Sequence, residues 1–179
     1  IISLIANMNN NINDIVDYII NRFERGGKND LTMLKLQKLL YYAQAWYLVN
    51  KGKNKRLFIG KFEAWVHGPV NREIFNRFKE THSLYSLAQK NDILHTFNIN
   101  NIPEEDIDFI NDFLDNFGEF SGADLERMSH SEKPWQEARG DLHILESCST
   151  EIDEETMGKF YEKKLIESGK RKIEEALWQ

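Results

Sequence analysis

Leu36–Val49 reads LQKLLYYAQAWYLV, and after a short polar turn Phe62–Val70 reads FEAWVHGPV. The first stretch is too apolar and too aromatic for a helix lying on a protein surface. From Met33 to Val49 its apolar residues cover most of a helical circumference, so the helix is buried on several sides and central to the fold. Thr32 supplies an N-cap, and the spacing predicts a helix over about residues 32–50. Lys35 and Lys38, flanking Gln37, are expected on its one solvated strip. Residues 57–66 alternate loosely, with Phe58, Phe62 and Trp65 among polar neighbours, and read as a short strand or extended segment. His67-Gly68-Pro69 reads as a turn, with Pro69 at the first position of a helix whose inward face is Val70, Ile74 and Phe78.

Helical periodicity extends outward in both directions. Ile12, Ile15, Val16, Ile19, Ile20 and Phe23 form an amphipathic stripe that Gly26-Gly27 ends. Thr81–Asn101 is the least regular part, with a short helix expected over Ser83–Gln89 before an Asn-rich loop. Pro103 opens a helix with acidic residues in its first turn and a core face of Ile107, Ile110, Phe113, Leu114 and Phe117, closed by Gly118. Ser121 with Asp124 predicts a capping box for a helix carrying Leu125 and Met128. Pro134 opens a short helix that Gly140 closes, and Asp153 or a neighbour caps a last one with Met157, Phe160, Tyr161 and Leu165. Ser168-Gly169 is expected to separate a charged tail in which Ile173, Leu177 and Trp178 form a small apolar stripe. The sum is a mainly α protein: one compact multi-helix domain over residues 8–168, a tail over 169–179, and a non-core extension over 1–7, with Met8 as the natural start.

The 179 residues suit one well-packed domain, and 41% hydrophobic with 12% aromatic content is globular. A net charge of −6 argues against a general nucleic-acid binder, which needs a surplus of Lys and Arg on one face. Cys148 is the only cysteine, so no disulfide forms within the chain, and a reducing, cytoplasmic location is the expectation. No apolar run approaches the roughly 20 residues of a membrane span.

Catalytic and metal signatures are missing. Neither GxGxxG nor GxxxxGK[ST] occurs, and His67, His82, His95, His130 and His143 show no HxxxH or HExxH spacing. No cofactor and no metal is implied. The carboxylate groups at 104–106, 124–126 and 153–155 each fall at an expected helix start, where capping and the helix dipole account for them.

Three constellations remain. Tyr41, Tyr42, Trp46 and Tyr47 read as core rather than as a ligand platform, with hydroxyls reaching polar partners at the edge. His67, between Trp65 and Gly68-Pro69, either satisfies backbone groups at its turn or titrates near neutral pH against a partner. Trp135 with Arg139 is either an interface hot spot or a core plug with Arg139 paired to Glu119 or Asp124. Together with the basic turn Lys51–Arg56, these nominate Trp65, His67, Gly68, Pro69, Trp135, Arg139, Lys53 and Arg56 as partner-binding residues.

Four blocks in order carry a wider signal: KLQKLLYYAQAW (Lys35–Trp46), FEAWVHGPV (Phe62–Val70), FSGADLERMSHSEKPWQEAR (Phe120–Arg139) and EIDEETMGKFYEKK (Glu151–Lys164). Their combination resembles the SocA-like, or GepA-like, phage-associated proteins, also called the Panacea antitoxin domain family. Phe117-Gly118 stands where that family usually has Tyr-Gly. The resemblance implies a mostly helical, non-catalytic antitoxin of a two-gene system, often on a prophage, that neutralises a cognate toxin protein by direct binding. One branch of the family is an adaptor delivering its toxin to a AAA+ protease. Some members add a DNA-binding domain for which this chain has no room, so operator binding by this chain alone is not expected. The remaining alternative is an enzyme centred on His67, which requires a concave pocket where His67 and an acid converge.

Overall fold

The computed structural model of the chain describes residues 9–52 and 54–177, with side chains as far as Gly169. The expectations for residues 1–7, Met8, Lys53 and the stripe Ile173, Leu177 and Trp178 lie outside the described residues or side chains.

Helix α1 (Ile12–Arg25) starts at Asn11, whose side-chain oxygen accepts from the Asn13 amide, and buries the expected stripe. Helix α2 (Met33–Lys51) begins at Thr32, whose hydroxyl accepts from the Lys35 amide at 3.1 Å. Every residue from Met33 to Ala45 is buried. Strands β1 (Glu63–Trp65) and β2 (Gly68–Val70) form an antiparallel hairpin in which Ala64 faces Pro69. Then follow α3 (Arg72–Phe78), α4 (Glu104–Phe117), α5 (Gly122–His130), α6 (Lys133–Arg139) and α7 (Glu154–Leu177). Around α2 pack α4, α5, α7 and β2, while α6 bridges β1 and α7. The fold is mainly α, with its core on the central helix, as the periodicity implies.

The polar residues of α2 explain how a helix buried all round is tolerated. A buried polar group is costly unless it is hydrogen-bonded. Gln37 exchanges two hydrogen bonds with the Asn71 backbone, at 3.1 and 2.8 Å. Gln44 accepts from the Leu57 amide and donates to the Phe58 carbonyl, at 2.9 and 2.8 Å. Tyr47 donates to Asp106, and Tyr42 and Tyr161 both donate to Glu132, at 2.9 and 2.5 Å. The helix thereby staples the extended segments and two flanking helices to itself.

Four expectations are corrected. Lys35 and Lys38 are not solvated: both are fully buried. Lys35 donates to Asp30 and to the Gly118 carbonyl at 2.6 and 2.8 Å, and Lys38 to the Pro69 carbonyl at 3.1 Å. Pro69 does not open a helix. It lies in the outer strand of the two-stranded hairpin, where a missing N–H is tolerated, and α3 starts later because Asn71 caps it, accepting from the Ile74 amide at 3.0 Å. Ser83–Gln89 is not helical. Its Leu84 and Ser86 carbonyls instead accept from the Leu34 and Met33 amides, satisfying the unpaired first turn of α2. Finally, α7 runs through Ser168 and Gly169 to Leu177. A single glycine costs a helix only about 1 kcal/mol, and the Ser168 hydroxyl folds back onto the Leu165 carbonyl.

Candidate binding groove at the hairpin

The hairpin gathers most of the nominated residues. At Gly68 the backbone takes φ +92°, and a Cβ there would lie 2.6 Å from Lys38 Cε and 2.7 Å from Ser129 Oγ. Glycine is therefore required twice, by the left-handed turn and by the close approach of β2 to α2 and α5. Beneath it, burial lowers the Lys38 ammonium to a pKa of about 7, opposed by the charge of Glu126. His67 neither packs on backbone nor stands alone. It is half exposed, and its Nδ1 lies 2.9 Å from Glu126 Oε1 on α5.

Trp65 and Trp135 play different parts. Trp65 is half-buried, donates its indole N–H to Glu63 at 2.7 Å, and packs edge-on against Phe75 with Arg72 over its face. Trp135 is 5% exposed and donates to the Trp65 carbonyl at 2.9 Å. His130 stacks on the Trp135 ring at 4.2 Å, and burial lowers the His130 pKa. Arg139 is also 5% exposed and pairs with neither Glu119 nor Asp124. Its guanidinium donates to the carbonyls of Ala64, His143, Ile144 and Glu146, a five-donor fork matched to backbone. Trp135 and Arg139 are thus built into the fold, where they brace β1 and the loop after α6. Arg56 lies elsewhere, in a two-pronged ion pair with Glu154 at the start of α7.

Beside the hairpin lies a groove of about 540 Å³ between β2, α3, the N-terminal half of α2 and the loop at Ser147–Ser149. Met33, Leu34, Leu36, Val70, Ile74 and Phe78 give it an apolar floor. Lys38, His67, Arg72, Lys79 and His82 line it, and no carboxylate does. Half-buried Cys148 is a further lining residue. Among the described residues no group of three or more metal-ligating side chains converges, and no helix is long and apolar enough to cross a membrane. The groove escaped the reading of the sequence because Phe75, Lys79 and His82 belong to a segment whose only pattern is the inward face of α3. The run of Lys and Gln inside an apolar helix was the one available sign that those polar groups had internal work.

A family profile described as antitoxin SocA-like, Panacea domain, matches residues 36–136, more than half of the chain. The antitoxin SocA of Caulobacter vibrioides is similar, at 38% identity over 111 residues, 59% of this chain. The chain spans 58% of that relative's length. No solved structure gives a significant match. The matched residues run from the core of α2 through the hairpin and groove to Trp135 and Gln136, the elements whose packing is described above. The chain belongs to the SocA-like, Panacea domain family of antitoxins.

Proposed function

We propose that this chain is a cytoplasmic antitoxin that neutralises a toxin protein by binding it directly. The observation that carries this reading is the match to an antitoxin family across residues 36–136. A surface bearing exposed apolar side chains such as Tyr85 and Leu145 supports a protein partner. The net charge of −6 supports a partner other than nucleic acid.

The test is co-expression of the chain with each reading frame flanking its gene. Growth rescue together with a co-purifying, undegraded toxin is the expected outcome. Rescue accompanied by disappearance of the toxin would replace blockade by delivery to a protease. The absence of any toxic neighbour would overturn the reading.

One observation favours a catalytic alternative: His67 and Glu126 meet at 2.9 Å at the edge of the groove. A His67→Ala chain that protects as well as the wild type would remove it.

A further inference from the structure

We infer that the groove between α2, β2, α3 and the Ser147–Ser149 loop is where the toxin docks, and that it receives an acidic segment anchored by apolar side chains. This rests on the antitoxin reading and names its surface and the chemistry of its partner.

Charge is the first argument. The chain as a whole is acidic, at −6, yet no carboxylate lines the groove, and Lys38, His67, Arg72, Lys79 and His82 do. The carboxylates that pair with three of them, Glu63 with Arg72, Glu126 with His67 and Asp92 with His82, are not themselves lining residues. Lys79 has no carboxylate partner among the described residues. Exposed Lys79 is thus the lining cation left to meet an acidic partner, and a charge pair of that kind sets register and encounter rate.

Extent is the second argument. A volume of about 540 Å³ over an apolar floor would also hold a small molecule. The two loops that contribute to its lining, however, also carry exposed apolar side chains. Phe75 is 38% exposed within the groove, and the two loops expose Tyr85 at 68% and Leu145 at 74%. Leu142 and Ile144 of the second loop are exposed as well. Arg139 holds that loop by three of its carbonyls, so these side chains are presented on a fixed frame. A small ligand has no use for that surrounding surface, whereas an amphipathic segment laid in a groove does.

Two arms test this. In the first, p-benzoyl-phenylalanine replaces Phe75, or Phe120 as a control of similar exposure (40%) outside the groove, and the chain is co-expressed with the toxic flanking-frame product. A photo-cross-link from position 75 and none from 120 is expected. Lys79→Glu and Phe75→Glu should each weaken the complex by about tenfold or more while leaving the melting temperature near that of the wild type. A cross-link from 120 alone, or unchanged affinity in both variants, would overturn the docking site while leaving the antitoxin reading intact.

The second arm needs no toxin. The apolar anion 8-anilinonaphthalene-1-sulfonate should bind the folded chain at a saturable site, quench Trp65, and lose that binding in Lys79→Glu. No saturable binding would show that the groove does not accept an apolar anion, which also overturns the proposal. Binding of the dye by a chain that forms no complex with any flanking-frame product would assign the groove to a small apolar anion, and the docking proposal would fall with the antitoxin reading.

Discussion

At the scale of single residues, the structure turns on polar groups placed where only specific partners make them tolerable. Lys38 is the clearest case. Its folded pKa of about 7 lies below the ordinary 10.5, so the unfolded chain binds more protons than the folded one between those values. Stability should therefore rise with pH from about 7 towards 10, at up to roughly 1.4 kcal/mol per pH unit. Above about pH 10 the gain reverses. Burial raises the phenols of Tyr41, Tyr42, Tyr47 and Tyr161, so there the folded chain holds the extra protons. The Glu126 carboxylate on α5 opposes the drop at Lys38. His130, lowered by burial, adds a rise below pH 6.5. Denaturant titrations across pH 6–10 should show this rising limb, and Lys38→Met should flatten it. A wild-type stability that falls from pH 7 to 9 would contradict the account. Gly68→Ala meets both a left-handed φ and the Lys38 and Ser129 side chains, and should cost roughly 2–4 kcal/mol of stability by thermal melting. Neither lysine's burial was legible in the sequence, because lysine in a helix is ordinarily solvated, and only the surroundings of α2 remove that option.

At the scale of elements, what the sequence revealed and what it hid divide by whether a signal is local. Helices α1, α2, α4 and α5 were legible because periodicity and cap chemistry lie within one stretch of chain, and the Ser121–Asp124 capping box forms as read. The hairpin was legible only as an extended segment. Whether Pro69 begins a helix or lies in a strand depends on Asn71 as a competing cap and on Lys38 bonding the Pro69 carbonyl, and both of those bonds form only in the folded chain. The 83–89 segment misled for a related reason. Its Ser83 and Ser86 side chains bond to each other and to local backbone, and its carbonyls serve the first turn of α2. Trp135 links α6 to β1, so Trp135→Ala should cost about 3–5 kcal/mol, whereas Trp135→Phe, which keeps the ring and loses the bond to Trp65, should cost about 1–2 kcal/mol. Equal stability of Trp135→Ala and wild type by denaturant unfolding would show that the residue is surface. Glu132→Ala strands the hydroxyls of Tyr42 and Tyr161 where α2, α6 and α7 meet, and should cost about 1–3 kcal/mol for each hydroxyl left unsatisfied.

At the scale of the whole molecule, a helix buried on all sides fixes the body of the protein, and the groove lies directly over core residues such as Met33, Leu36, Ile74 and Phe78. The nominated residues sort accordingly. Gly68, Pro69, Trp135 and Arg139 frame the hairpin from within, Trp65 and His67 line the groove, and Arg56 braces α7. The family's blocks fall at this hairpin, but nothing in them separates residues that frame it from residues at its surface. The most direct test of the account is a calorimetric titration of the purified chain into its purified toxic neighbour, with the toxin's activity followed in the same samples. Saturable binding, with toxicity lost in proportion to the complex formed and the toxin intact, is the predicted result. Absence of binding, or relief of toxicity far below equivalence, would contradict it.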